Sequence, residues 1–175
     1  SLMRSVREEN IMEHSHDVAM IAHALAVINN KFGGETKADV KKTVLLAQYH
    51  EVGEVITGDL PTPIKYFNPE IKTAYKDLEK GACGKLLDML PEDLREDYAE
   101  YILPDEKSYE YKLVKFADRI SAYLKCVEEI KAGNSEFKKA KKTIGEELKK
   151  ADDPAVEYYM KNFAAAYELT LDELD

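Results

Sequence analysis

Two histidines and two acidic residues in this sequence of 175 residues have the side-chain types that a hydrolytic metal site needs. His14 stands early in the chain, His50 and Glu51 are adjacent, and Asp118 follows much later. Imidazole nitrogens and carboxylate oxygens are common ligands of divalent metals in such sites. The four residues therefore predict a metal centre, provided that the fold brings them together.

The segments that carry these residues have helical periodicity. Apolar residues recur at helical spacing, and no alternating pattern is long enough to predict a strand. We therefore expect an all-α fold in a single domain over residues 1–175. The predicted helices span about 10–28, 36–55, 70–89, 91–102, 108–132, 135–150 and 154–169.

Local signals indicate where several of these helices begin or end. Asn10 and Glu13 have the spacing of a capping box. Gly33–Gly34 predicts the end of the first helix, and Asp153–Pro154 predicts a cap followed by proline at the first helical position. Residues 57–63 contain one glycine and two prolines, which predicts a loop directly after the His-Glu pair.

Composition excludes some classes of function. The chain is 45% hydrophobic and 34% charged, with a net charge of −9, so it is a poor candidate for gripping a nucleic-acid polymer. No apolar run is long enough to span a membrane and no secretory signal is visible, so we expect a cytoplasmic protein. Cys83 and Cys126 form no CxxC pair, which favours reduced thiols.

The second predicted helix carries three polar residues at the end of an apolar stripe. His50, Glu51 and Glu54 can share one face of that helix, and a bound cation would relieve the cost of burying their carboxylates. The alternative is an exposed helix end with ordinary solvated glutamates. The pattern also approaches the zincin motif HExxH, but glutamate replaces the second histidine, so a peptidase is disfavoured.

The remaining candidates have alternatives of their own. His16 and His23 lie on the same predicted helix as His14, on a different face, and are alternative ligands. Asp118 lies beside the apolar stripe of its helix, and an aspartate in that position usually has a partner. Its alternative is a surface charge pair with Arg119.

The sequence resembles a known family in three segments. These are Glu13-His14-Ser15, residues 49–67 with the pattern EVxTGDLPTPxKYF from Glu54 to Phe67, and Val114–Asp118. They look like the bacterial 5′-deoxynucleotidases of the HD-domain metal phosphohydrolase superfamily. The pattern from Glu54 to Phe67 is the most specific, and the similarity runs almost end to end.

The resemblance implies a fold, an activity and a set of site residues. The family is an all-helical HD-domain bundle, forms a homodimer, and removes phosphate from deoxyribonucleoside 5′-monophosphates with a divalent metal. The N/O ligand set allows Mn, Co, Zn, Fe or Ni. By position, the metal ligands would be His14, His50, Glu51 and Asp118; Glu54 would be the catalytic acid or base; and Asp59, Leu60, Pro61 and Thr62, with Glu51 and Asp118, would face the nucleotide.

Two features depart from the family pattern. Glu51 stands where the family has the aspartate of a His-Asp doublet, and its extra methylene shifts the carboxylate by about an ångström, which site geometry tolerates poorly. Family members also carry an N-terminal helix with an Arg-Trp pair just before the position of residues 1–4, and the sequence lacks that pair. Arg4 and Arg7 are the nearest arginines.

Two alternatives to this nucleotidase follow from the same residues. One is an HD-domain hydrolase of another small nucleotide or phosphate ester, which the specific 54–67 pattern disfavours. The other is a degenerate HD domain that binds metal or nucleotide without turnover. The change to Glu51 favours this second alternative, whereas the presence of Glu54, Asp59 and Asp118 argues against it.

Overall fold

The computed structural model describes residues 4–33, 36–60, 62–65, 67–169 and 171–173, with the backbone alone at residues 62, 63 and 171. Within these ranges there are helices and no strands, which confirms the predicted all-α class. The α-helices are α1 (Ile11–Phe32), α2 (Val40–Tyr49), α3 (Glu54–Thr57), α4 (Thr62–Lys65), α5 (Pro69–Asp88), α6 (Arg95–Ile102), α7 (Tyr109–Lys131), α8 (Lys138–Lys149) and α9 (Pro154–Asn162). Short 3₁₀ turns span Glu92–Leu94, Ser135–Phe137, Ala164–Glu168 and Leu171–Glu173.

The core forms around α1, which packs against α2, α7 and α9. Its largest fully buried side chains include Leu25 of α1, Leu46 of α2, and Leu113 and Ile120 of α7. Burying side chains of this size contributes about 1.5–3 kcal/mol each, so the core fixes the three helices relative to one another. Those three helices carry or adjoin every predicted metal ligand.

The beginning of α1 is set by the predicted capping box, which the structure confirms. The Asn10 side chain accepts a hydrogen bond from the Glu13 N–H at 3.0 Å, and the Glu13 carboxylate accepts one from the Asn10 N–H at 3.3 Å. The cap leaves His14 in the first turns of α1. The Asp153–Pro154 cap of α9 is confirmed in the same way, with Asp153 accepting from the Ala155 N–H.

The segment before α1 is anchored to the end of α7. The Glu129 carboxylate is buried and accepts hydrogen bonds from the N–H groups of Val6 at 2.8 Å and Arg7 at 3.2 Å, and from Asn134 Nδ2 at 2.9 Å. Burial alone would raise the pKa of Glu129, but these donors lower it. The anchored segment leads directly to the N-terminus of α1.

The predicted second helix is wrong at both ends. Helix α2 begins at Val40 and ends at Tyr49, so residues 50–53 form a tighter turn before α3. In that turn the N–H groups of Val52 and Glu54 bond three residues back, at 3.1 and 2.9 Å. A Cβ atom at Gly53 would lie 3.0 Å from Cys83 Sγ and 3.3 Å from the Glu79 carbonyl oxygen, so the turn passes close to α5.

Other predicted boundaries also need correction. The expected loop over 57–63 is interrupted because α4 begins at Thr62, with Pro63 in its first turn, where proline is tolerated. Helix α1 continues to Phe32, and α9 ends at Asn162 before a 3₁₀ turn. Gly33 caps α1 as predicted, whereas Gly34 lies outside the described residues.

No helix in the part of the chain that the structure describes is long and apolar enough to cross a membrane. Cys83 and Cys126 are both free thiols, in agreement with the prediction that neither belongs to a disulfide.

Candidate metal centre

The structure brings the four predicted ligands together from three parts of the fold. His14 comes from α1, His50 and Glu51 from the turn after α2, and Asp118 from the middle of α7. One potential ligand atom from each residue lies within 4.8 Å of the others. Such a group of two imidazoles and two carboxylates has the donor set of a divalent metal site.

The distances show how the extra methylene of Glu51 is accommodated. His14 Nε2 lies 3.3 Å from Asp118 Oδ1 and 3.6 Å from Glu51 Oε2. Glu51 Oε1 lies 3.8 Å from His50 Nε2. The Glu51 carboxylate therefore spans the two imidazoles, with one oxygen directed to each, so replacing aspartate by glutamate does not remove this residue from the group.

His50 is held in the orientation of a metal ligand. Its Nδ1 lies 2.7 Å from the Ala47 carbonyl oxygen, so an Nδ1–H donates there and leaves the Nε2 lone pair facing the group. The side chain is 1% exposed, and Nε2 is buried without a hydrogen-bond partner among the described residues. Burial lowers the pKa of His50, which keeps the ring neutral. A metal would satisfy this nitrogen.

The surroundings of His14 raise its pKa, whereas those of His50 lower the pKa of that ring. Burial alone would lower the pKa of His14, but the hydrogen bond with Asp118 and the charges of Glu51 and Asp118 raise it to about 9. For Asp118, burial would raise the pKa, but His14 and the Lys115 ammonium hold that carboxyl well below its usual range. Without a metal, the protonated His14 ring therefore supplies the positive charge that these carboxylates require.

This setting predicts the titration of His14 in protein stripped of metal. We expect the His14 ring to stay protonated at pH 8, and its NMR ring signals to titrate near pH 9, because two carboxylates stabilise the imidazolium. A raised folded-state pKa stabilises the fold fully below the unfolded value of 6.5, and that contribution is lost as the pH rises through about 9.

Two variants assign the signals in this titration. His14→Gln should remove the high-pH transition, whereas His23→Gln, which changes an exposed histidine on the same helix, should leave it in place. A His14 ring that titrates below pH 7 in the metal-free protein would contradict the geometry described above.

Glu54 is buried beside the four residues without being one of them. It opens α3, is 6% exposed, and its N–H donates to the Glu51 carbonyl oxygen at 2.9 Å. Burial and the charge of Glu51 raise the pKa of its carboxyl to about 7, against the opposing effect of Lys65. A carboxyl group with this pKa is suited to donate a proton at neutral pH.

The predicted nucleotide-facing residues follow α3 in a sharp turn. Gly58 ends α3 with φ +69°, a conformation that favours glycine, and its carbonyl oxygen accepts a hydrogen bond from the Tyr75 hydroxyl at 2.9 Å. Asp59 is exposed and Leu60 half-buried in the residues that follow. Pro61 lies outside the described residues, and Thr62 is described by its backbone at the start of α4.

Two lysines near the group were missed by the sequence reasoning. Lys115 Nζ lies 3.6 Å from Asp118 Oδ2, and the three-residue spacing on α7 was the signal that could have identified it. Lys65 Nζ lies 2.7 Å from Glu79 Oε1 and 4.6 Å from the centre of the Tyr75 ring. Both lysines raise the local positive charge beside four acidic residues: Glu51, Glu54, Glu79 and Asp118.

The alternative ligands and the zincin pattern are not supported by the geometry. His16 and His23 are exposed on α1 and do not belong to the group. His50 and Glu54 do not lie on one continuous helix, because α2 ends at Tyr49. The zincin arrangement needs its ligands one turn apart on a single helix, so the HExxE pattern here is coincidental.

Comparisons with known proteins agree with this geometry. A sequence profile described as 5′-deoxynucleotidase YfbR-like matches residues 1–167. The chain belongs to the 5′-deoxynucleotidase YfbR-like family. It is 51% identical to a 5′-deoxynucleotidase of Vibrio cholerae, over 99% of this chain and 89% of that protein. It is also 51% identical to the 5′-deoxynucleotidase YfbR of Escherichia coli, over 99% of this chain and 87% of that protein.

A solved structure shows the same fold at lower sequence identity. An HD-domain phosphohydrolase of Listeria innocua is 20% identical, with a TM-score of 0.81 over 94% of this chain and 79% of that one. This likeness confirms the predicted HD-domain helical bundle. The fold and the four-residue group together support a divalent metal as the cofactor.

Proposed function

We propose that the protein hydrolyses deoxyribonucleoside 5′-monophosphates to a deoxynucleoside and phosphate. The observation that carries this proposal is the convergence of His14, His50, Glu51 and Asp118 beside the buried carboxyl group of Glu54. The names of the relatives in Vibrio cholerae and Escherichia coli support the same substrate class.

The four converging residues would hold the metal. They fit one because His50 Nε2 is buried without a hydrogen-bond partner among the described residues and lies 3.8 Å from Glu51 Oε1. A divalent metal bound there supplies Lewis-acid polarisation of phosphate and lowers the pKa of water. The mixed nitrogen and oxygen donors suit Mn, Co, Zn, Fe or Ni, and we propose that the native ion is one of these.

The protein's own residues then move the protons. Water attacks phosphorus while the bond to the 5′ oxygen breaks, so one proton must leave the water and one must reach the departing oxygen. Because the pKa of Glu54 is about 7, a large fraction of this carboxyl group is protonated at neutral pH and would donate to the 5′ oxygen. A carboxylate of the group, Asp118 or Glu51, would accept the proton from water.

Charged residues around the group would position the substrate. Lys115 pairs with Asp118, and the charge of Lys65 acts on Glu54, so both lysines would balance the charge of the phosphate. The residues after Gly58 would hold the sugar, since the Tyr75 hydroxyl fixes the turn from which they extend. In this proposal Asp59 binds a sugar hydroxyl, and Leu60, Pro61 and Thr62 complete that side of the site.

Phosphate release from a panel of 5′-nucleotides tests the proposed function. Protein stripped of metal and reloaded with Mn, Co or Zn should release phosphate from deoxyribonucleoside monophosphates and release little from the matching ribonucleotides. Metal-dependent release would show that a centre with Glu51 in place of aspartate is competent. The protein without added metal is the matched control, because its fold and substrate pocket are otherwise the same.

The same panel separates the two alternatives. Release from nucleoside di- or triphosphates in preference to monophosphates would favour a hydrolase of another small nucleotide. Tight metal binding with no release from any nucleotide would favour a binding domain without turnover, and would locate the defect in the His50–Glu51 pair.

Three further properties remain proposals. We propose that residues 1–175 form a single domain, that the protein acts in the cytoplasm, and that it forms a homodimer. An exposed aromatic surface supports the homodimer: Phe32 and Tyr158 stack with ring centres 4.9 Å apart, and Phe163 and Tyr167 are also exposed nearby in the chain. Clustered exposed apolar side chains of this kind are typical of association surfaces.

A further inference from the structure

Each imidazole of the candidate metal centre has one nitrogen that is not directed at the four-residue group. For His50 this nitrogen is Nδ1, which lies 2.7 Å from the Ala47 carbonyl oxygen. For His14, Nε2 lies 3.3 Å from Asp118 and 3.6 Å from Glu51, so Nδ1 is the nitrogen that is left for an outer partner. Histidines that bind metals almost always donate this second N–H to a carboxylate, a carbonyl group or water.

Glu9 places a carboxylate beside this nitrogen of His14. Its Oε2 atom lies 4.0 Å from His14 Nδ1, and the side chains of Glu9 and His14 are 28% and 17% exposed. The separation is within ion-pair distance and is longer than a direct hydrogen bond, a gap that a bridging water or a small rotation of the Glu9 side chain closes. Glu9 is not one of the four converging residues, and the chemistry described above gives it no role.

The backbone on both sides of Glu9 is fixed by side chains. Two residues earlier, the Arg7 N–H donates to the buried Glu129 carboxylate at 3.2 Å, and the Arg7 carbonyl oxygen accepts from Lys125 Nζ at 3.0 Å. One residue later, Asn10 is the N-cap of α1. The conformational entropy of this backbone is therefore already lost in the folded protein, so only the Glu9 side chain has to be ordered beside the ring.

We propose that Glu9 is a positioning residue, which accepts a hydrogen bond from the Nδ1–H of His14, directly or through one water, and so directs the Nε2 lone pair into the four-residue group. The inference rests on the proposed function, because that function requires a metal at this group. Glu9 then does for His14 what the Ala47 carbonyl oxygen does for His50. A carboxylate in this position also makes the imidazole a more basic ligand.

The zinc affinity of three variants tests this role. Glu9→Ala removes the acceptor, Glu9→Gln removes the charge but keeps an oxygen that can accept the same hydrogen bond, and Glu8→Ala is a matched control at the neighbouring exposed glutamate. Because loss of an outer partner usually costs about 10–100-fold in metal affinity, we expect the Kd for zinc to rise at least about tenfold in Glu9→Ala. Glu9→Gln should restore most of the affinity, and Glu8→Ala should bind zinc like the wild type.

Two outcomes of this calorimetric titration would overturn the assignment. Equal losses in Glu9→Ala and Glu8→Ala would show that only the net charge near the centre matters. A loss in Glu9→Gln as large as that in Glu9→Ala would show that Glu9 acts through its charge and not as a hydrogen-bond acceptor.

Long-range ¹H–¹⁵N NMR spectra of the His14 ring give a readout that a merely structural role would not change. In the zinc-loaded wild type, we expect zinc on Nε2 and a proton on Nδ1 that exchanges slowly with water. In Glu9→Ala this proton should exchange at least about tenfold faster, because its hydrogen bond is lost, whereas Glu9→Gln should keep it protected. The same exchange rate in the wild type and in Glu9→Ala would contradict the proposal.

The zinc and NMR measurements do not depend on turnover, so they separate this inference from the proposed function. Wild-type protein that binds zinc but releases no phosphate would contradict the function alone, and the behaviour of Glu9→Ala and Glu9→Gln would still decide the role of Glu9. Wild-type protein that binds none of Mn, Co or Zn would overturn both.

Discussion

Replacing Glu54 by glutamine should lower turnover of a deoxyribonucleoside monophosphate by about 10²–10⁴-fold, the usual contribution of a positioned proton donor. Glutamine keeps the size of the side chain and its place at the start of α3 but has no proton to give to the 5′ oxygen. Metal affinity should stay close to that of the wild type, because Glu54 is not one of the four converging residues. Parallel measurements of kcat and of metal Kd check both parts.

The pH dependence of kcat/KM tests independently whether Glu54 is the proton donor. Burial and Glu51 raise the pKa of Glu54 to about 7, so its protonated fraction falls as the pH rises through that value. The kcat/KM of the wild type should fall on this alkaline side, and Glu54→Gln should lack that decline. Glu146→Gln, which changes an exposed glutamate on α8, is the matched control. Normal turnover in Glu54→Gln would show that another group supplies the proton.

The position of Glu54 shows why local sequence patterns located the residue but not its surroundings. The spacing of His50, Glu51 and Glu54 predicted one helical face, yet α2 ends at Tyr49 and Glu54 opens a separate helix. The break depends on the close passage of Gly53 past Cys83 and the Glu79 carbonyl group on α5. That contact joins residues about thirty positions apart, and periodicity within one segment carries no information about it.

The predicted features that proved right are those with local causes. The Asn10–Glu13 capping box and the Asp153–Pro154 cap depend on groups within a few residues of each other, so their spacing was sufficient. The ligand types were also readable, because histidine and carboxylate at the ends of apolar stripes are unusual unless they have partners. Their convergence depends on how α1, α2 and α7 pack together, so the sequence alone could give it only as an expectation.

One of the two lysines near the centre shows the opposite case. Lys115 meets Asp118 through the local three-residue spacing on α7, whereas the effect of Lys65 on Glu54 follows from tertiary packing. Charge balance around a buried group depends on the fold, whereas the identity of that group can be read directly from the sequence.

Replacing Asp118 by asparagine should weaken metal binding by at least about 100-fold, the upper end of the loss that follows removal of even an outer partner of a metal ligand. Asparagine keeps the shape of the side chain but removes the negative charge, and its amide competes poorly with a carboxylate for a divalent ion. The change also removes the carboxylate charge that lies 3.3 Å from His14 Nε2. Titration calorimetry with Mn, Co or Zn measures the loss, and phosphate release should fall with it.

The control for Asp118→Asn must make the same change of charge at a position away from the four-residue group. Asp97→Asn makes the same substitution at an exposed position on α6, so its metal affinity should equal that of the wild type. Asp118→Asn should also lower the pKa of His14, because the carboxylate that stabilises its imidazolium is gone. If Asp118→Asn bound metal as tightly as Asp97→Asn, Asp118 would not be a metal ligand. The mechanism proposed for these four residues would then be wrong.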